Sequence, residues 1–365
     1  MPKAETLDER SIEDGDGPDE PKPFNVRLLR FVPMIVVLGL VVHLVLPRID
    51  SIEDSLETMR TLVPWALALA VVAEGLSYVA NGSVLQAVIH LAGEKLPLRR
   101  AIAIEIGAGT VALVAAGALG FGAAIYKWTK NRGVSRNTAM LASWLPSMFD
   151  AVSLVLFALA GAVELLLVHQ LSRATEIALF IVVTALATVI AAVIVLLAKN
   201  DWAMALAHRA TRLLLRVRPK SSESALTDFV KRAADTWNSM RDGGWIRPTV
   251  SSILVLAFDV LCLELAFVAA GQRIHPTLLL AGYGVPILLG RASFLPGGIA
   301  VIEIAMTAIF GGLGVPANAA VVAVLTYRLI SFWLPALLGI PIAIRLQSRR
   351  RRIAPNEAPS GETTA

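Results

Sequence analysis

Eight apolar segments dominate the chain, at about 28–47, 62–91, 98–126, 138–168, 176–198, 248–270, 277–314 and 317–344. Runs of about 20 residues are long enough to cross a bilayer as helices, and in lipid every backbone N–H and C=O must be satisfied inside the protein. Hydrophobic residues make up 56% of the 365 positions, so the sequence is that of an all-α, polytopic integral membrane protein. The formal net charge of +5 sits mostly in Lys/Arg clusters between apolar segments. Such clusters set orientation and contact anionic phospholipid, and nucleic acid is not an expected partner. Cys262 is the single cysteine, and the five histidines are scattered, so no disulfide, metal or cofactor is expected.

The basic clusters also fix a topology. Lys95, Arg99 and Arg100 precede the segment at 98–126, and Lys127, Lys130, Arg132 and Arg136 follow it. If both clusters stay in the cytoplasm, that segment enters the membrane and returns as a re-entrant hairpin. Gly107, Gly109, Gly117, Gly120 and Gly122 allow the bend and close packing. The acidic connection at 48–60 falls outside, segment 248–270 runs outward from a long basic loop, and 317–344 ends inside at Arg345 and Arg349–Arg352. Segment 277–314 must then start and finish outside. About six full crossings and two re-entrant hairpins entering from opposite faces are expected, with both termini in the cytoplasm of a cell at its plasma membrane.

The halves echo each other. Gly133-Val134 follows the first hairpin as Gly314-Val315 follows the second, and the same shift sets Gly117 on Gly298, Trp144 on Leu325, Ser147 on Arg328, and 62–91 on 243–272. With opposed charge topology this describes an inverted repeat, with a site where the hairpin tips meet. The expected organisation is a disordered acidic cytoplasmic tail at 1–24 and a membrane domain at 25–345. Within it, repeat one covers about 28–168 and repeat two about 176–345. A disordered tail at 346–365, basic then polar, follows. Within the cytoplasmic loop at 199–247, Trp202, Leu206, Ala210, Leu213 and Val217 recur at helical spacing beside arginines, the pattern of a basic amphipathic helix on anionic lipid.

The segment FLPGGIAVIEIA interrupts the seventh apolar run. Pro296 cannot donate a backbone hydrogen bond, and Gly297 and Gly298 are poor helix formers, so a helix broken in the membrane is expected there. A half-helix starting near Pro296 would aim the N–H groups of Gly297, Gly298 and Ile299, at a positive helix end, toward a lipid phosphate. Arg291 could add bidentate charge to that phosphate. Ionisable residues in hydrocarbon are functional candidates by default, here Glu74, Glu105, Asp150, Asp259, Glu264, Arg291, Glu303 and Arg328. Glu303 and Arg328 either line the substrate path or pair to hold the hairpin against the last helix, and Asp150 could meet a cationic headgroup or an arginine. No nucleophile elbow, HExxH, Walker loop or aspartate-rich diphosphate motif is present, so no enzymatic activity is expected.

PGGIAVIE followed by GGLGVPANAAVVAVLTYRLISFWLPALLG closely resembles the lysylphosphatidylglycerol synthase transmembrane region, also called the flippase-like or UPF0104 family. That family's usual form is Pro-Gly-Gly-x-Gly-x-x-Glu, a Gly-Val, then Tyr-Arg and Leu-Pro. Pro296, Gly297, Gly298, Glu303, Tyr327 and Arg328 carry the resemblance, and Ala300 replaces a family glycine. Phe121-Gly122 stands where the family often has Gly-Glu. Of a Glu-Arg-x-x-Asp on the next helix, Asp150 alone remains. The resemblance implies lipid translocation between leaflets, of a phosphate-bearing, aminoacylated or polyprenyl-linked lipid. It implies substrate-binding roles for Pro296, Gly297, Gly298, Glu303, Tyr327, Arg328 and Asp150, to which Arg291 is added from its place just before the break. No aminoacyltransferase domain is expected after Arg352. The alternative is a non-transporting scaffold for a separately encoded glycosyl- or aminoacyltransferase.

Overall fold

The computed structural model describes residues 62–115, 117–168, 243–293 and 295–348, with isolated positions between 177 and 188. The expected crossings at 28–47 and, for the most part, 176–198 lie outside the described residues, as do the amphipathic loop up to residue 242 and both tails. Among the described residues all regular structure is helical. The helices are α1 (Pro64–Leu91), α2 (Leu98–Val114), α3 (Ala118–Lys130), α4 (Arg136–Ala142) and α5 (Leu145–Val168), then α6 (Ile246–Ala269), α7 (Pro276–Ala292), α8 (Val301–Gly312), α9 (Ala317–Arg328) and α10 (Leu334–Ser348). Four stretches are long and apolar enough to cross a membrane: α1, α4 running into α5, α6, and α9 running into α10.

Helix α1 starts on Pro64, whose missing N–H costs nothing in a first turn. It then buries Ala66, Ala70, Ala73, Ser77, Ala80 and Val84, a stripe of mostly small residues spaced alternately four and three apart. Small residues let two backbones approach closely, and α1 packs along α6 more extensively than any other pair of elements. The two run antiparallel. Val63 N–H donates to the Ala269 carbonyl at 3.0 Å, Ser77 Oγ to the Val255 carbonyl at 3.1 Å, and Arg247 to Gln86 Oε1 at 3.1 Å. Leu69, Val72, Leu76, Ile253 and Leu254 face outward instead, as a lipid-facing surface would.

After each of these helices the chain repeats itself turn by turn. Gly93 (φ 80°) donates to the His90 carbonyl, and Gly271 (φ 77°) to that of Val268. Two short paired helices follow in each half, α2 with α3 and α7 with α8. At about 1.5 Å per residue the 17 residues of α2 or α7 reach about 25 Å, short of a hydrocarbon core of about 30 Å. The pairs reverse at Gly117 (φ 56°) and around Gly298 (φ 65°), the residues that the sequence shift superposes. They end alike, at Gly133 (φ 89°) with Val134 N–H on the Thr129 carbonyl, and at Gly314 (φ 88°) with Val315 N–H on the Phe310 carbonyl.

The halves then exchange their last helices. Helix α5 packs on α7, and α10 on α2. Glycines make both contacts possible: a Cβ on Gly284 would strike the Ala158 Cα at 2.5 Å, and one on Gly339 the Ile106 carbonyl oxygen at 2.8 Å. Thr110 Oγ1 also donates to the Ala336 carbonyl at 3.2 Å. Each hairpin is therefore clasped by the other half's final helix.

Candidate functional site

The break in the second hairpin is one 3-10 turn, Pro296–Gly298, between α7 and α8. Gly297 (φ 63°), Gly298 (φ 65°) and Ala300 (φ 70°) all have positive φ, which a right-handed helix cannot propagate. Gly298 N–H donates to the Leu295 carbonyl at 3.0 Å, and the first regular helical bond runs from Ile304 to Ala300. This corrects the expected half-helix starting near Pro296: α8 begins at Val301, and its open amides belong to the residues that follow Ala300. Glu303 consequently lies in the first turn, where a carboxylate complements the helix dipole. Both turn glycines are also packed against. A Cβ on Gly297 would enter the Phe332 ring, and one on Gly298 would meet Gly290 Cα at 2.8 Å.

Arg328, at the end of α9, closes this turn. Its Nε donates to Glu303 Oε1 at 2.8 Å and its guanidinium to the Gly297 carbonyl at 2.9 Å, with the Phe332 ring centroid 4.4 Å away. The side chains of the ion pair are 5% and 6% exposed. Phe332 reaches the guanidinium because Leu329–Trp333 form a π-helical turn. Pro335 explains it: with no N–H for the Ser331 carbonyl and a ring that crowds it, the helix widens by one residue just before the proline.

A second ion pair joins the halves. Arg291, in the last turn of α7, contacts Asp150 of α5 at 2.6 Å, with exposures of 45% and 23%. Asp150 Oδ1 is buried without a hydrogen-bond partner. The adjacent Gly290 packs on Gly298 and Ile302, so this pair is fixed to the flank of the broken turn.

Tyr327 does not join its neighbour Arg328. Its hydroxyl donates to Asp259 at 3.1 Å, and Tyr283 donates to the same carboxylate. Glu74 of α1 is buried on the turn that faces Asp259, as the Ser77–Val255 and Val63–Ala269 bonds between α1 and α6 require. The site residues read from the sequence thus fall into three groups. Pro296–Gly298 form the turn that the buried Glu303 and Arg328 pair holds, Asp150 and Arg291 form an open pair, and Tyr327 belongs to a carboxylate cluster. Sequence reasoning passed over Tyr283 and Phe332, and gave Glu74 and Asp259 little weight. The signal that could have linked the last two is the superposition of 62–91 on 243–272, which makes α1 and α6 equivalent partners.

Long apolar helices, short paired helices between them, and ionisable side chains turned inward define a polytopic, all-helical membrane protein. The model of the lysylphosphatidylglycerol synthase TM region matches residues 31–339, and the chain belongs to that family. It is also similar to a UPF0104 membrane protein of Pyrococcus horikoshii, 35% identical over 88 residues. That match covers 24% of this chain and 26% of the relative, so the chain spans about a quarter of the curated protein's length there.

Proposed function

We infer that this chain translocates lipids between leaflets, with a phosphate-bearing, aminoacylated or polyprenyl-linked headgroup passing the Arg291–Asp150 pair. Family membership supports a role in membrane lipid chemistry. The observation that carries the rest is an ion pair between the two halves that is short yet open. A guanidinium presents a planar fork to a phosphate, and the freed carboxylate would receive an ammonium group such as an aminoacyl lipid carries. The antiparallel α1 and α6 and the repeated hairpins support an inverted repeat. On this plan it has six crossings, two re-entrant hairpins and cytoplasmic termini at a plasma membrane, an orientation that rests on the Lys/Arg clusters. In this reading the protein has no catalytic step of its own and its partners are membrane lipids.

Translocation of fluorescent phosphatidylglycerol in proteoliposomes, read by dithionite quenching, tests the function. Wild type should accelerate it, and Arg291→Gln and Asp150→Asn should each abolish the acceleration. Unchanged rates in both variants would remove the pair from the path, and a wild type that moves no lipid would favour the scaffold reading. Single cysteines at Ser55, Ser135, Ser222 and Ala317 test the topology, with buried Cys262 left in place. Positions 55 and 317 should react with an impermeant reagent from outside, and reaction at 135 would overturn the first re-entrant hairpin.

A further inference from the structure

The most extensive packing among the described residues, α1 against α6, places two carboxyl groups on facing turns. Glu74 comes from α1 and Asp259 from α6, and the bonds from Ser77 to Val255 and from Val63 to Ala269 set those turns against each other. Two carboxylates have acceptors and no donor, so such a pair can bond to each other only while it holds a proton. Among the described residues no arginine takes the proton's place: Arg328 is engaged by Glu303 and Gly297, and Arg291 by Asp150. The described partners are neutral donors, Tyr283 and Tyr327, which donate to Asp259 from α7 and α9.

A second observation lies in the polar atoms left over. Glu74 is 6% exposed, and its Oε2 has no hydrogen-bond partner. Glu105 of α2 is 3% exposed, and its Oε1 is equally without one. A buried carboxylate oxygen with no partner is costly in this setting unless a proton or other cation can reach it. Asp259, in contrast to Glu74, is only partly buried.

We propose that Glu74 and Asp259 form a proton-carrying site whose loading and release drive the translocation inferred above. The coupling runs through α7, which carries both Tyr283 and Arg291. Through Tyr283 the Asp259 carboxylate is held against α7 about two turns before Arg291. When the shared proton leaves Asp259 for water, the pair gains a negative charge that competes with Asp150 for Arg291 and loosens the open ion pair. Reprotonation lets Arg291 return. The inference rests on the translocation reading, but the proton site can be tested apart from it.

Infrared difference spectra of the full chain in lipid, recorded across a pH step, should show the carbonyl stretch of a protonated carboxylic acid. Glu74→Gln and Asp259→Asn should each weaken it by the pair's share, leaving what Glu105 contributes, since both keep the shape and leave one carboxylate that accepts from an amide. Fluorescent phosphatidylglycerol in proteoliposomes gives the coupling: a pH gradient should change the wild-type rate severalfold according to its direction, and in either variant the two directions should become equal. A band of unchanged intensity in both variants would overturn the proton site. Wild-type rates indifferent to the pH gradient would overturn the coupling and leave translocation standing, as would a rate that follows a sodium gradient at fixed pH. No translocation under any gradient would overturn both readings.

Discussion

Two arginine–carboxylate pairs flank the same broken turn, and they differ in almost everything except their chemistry. Arg328–Glu303 is nearly sealed, at 5% and 6% exposure, and its guanidinium is bound on several sides by a carboxylate, a backbone carbonyl and an aromatic ring. Arg291–Asp150 is 45% and 23% exposed and leaves Asp150 Oδ1 unpartnered. A sealed pair holds the backbone of the turn in place, because removing either member strands a charge in low dielectric. An open pair contributes little to stability and can be exchanged for a ligand. Apart from Tyr327, the family signature therefore marks the residues that build the turn, and in the translocation reading the residues beside it are the ones a headgroup would meet.

The largest effect expected is at the sealed pair. Arg328→Ala should cost roughly 3–5 kcal/mol, the range for breaking a buried pair, and Glu303→Gln with Arg328→Gln together should be milder. Thermal unfolding in detergent measures both. An Arg328→Ala protein as stable as wild type would erase the contrast between the pairs and return Arg328 to the substrate path. Valine at Gly297 cannot make this distinction, since a side chain there meets Phe332 at a positive φ and disturbs the fold itself.

Much of this architecture was legible from the sequence for a physical reason. Apolar runs bounded by Lys/Arg clusters gave the helices at 62–91 and 248–270 to within a few residues, because lipid leaves a hydrophobic run of that length few other structures. Gly117, Gly133 and Gly314 marked the turns because positive φ is cheap for glycine alone. Proline and glycine in sequence located the break but not the start of α8. That start depends on three positive φ values, one of them at an alanine whose composition gives no hint of it. The π-helical turn and the partner of Tyr327 were also hidden. Both depend on which way one helix faces another, information carried by α9 and α6 jointly rather than by either segment.

Ala300 gives the next effect in size. It is the one non-glycine residue with positive φ among the described residues, and it stands where the resemblance expects a glycine. Holding a residue with a Cβ in such a conformation costs about 1–2 kcal/mol. Ala300→Gly should therefore raise stability by about 1 kcal/mol, less than the full strain because glycine also frees the unfolded chain. An upward shift of the unfolding midpoint checks it. A loss would mean that the alanine methyl packs well enough to outweigh its backbone, and that the turn is held by side chains more than by Arg328.

The smallest stability effect should be at the open pair, and its smallness is the point. Exposed ion pairs contribute about 0.2–1 kcal/mol, so Arg291→Gln and Asp150→Asn should each unfold within that margin of wild type. Asp150→Asn should be nearest to neutral, since its amide keeps a hydrogen-bonding oxygen for Arg291 while removing the charge. Arg291→Lys keeps the charge and loses the planar fork, so it should unfold like wild type and translocate phosphate lipids at an intermediate rate. Unfolding midpoints measured beside translocation rates separate the two roles. If Arg291→Gln proved as damaging to the fold as Arg328→Ala, the pair would be a clasp between α5 and α7 and the headgroup would need another path. If the fold holds while translocation fails, the difference in exposure between the two pairs is a difference in function.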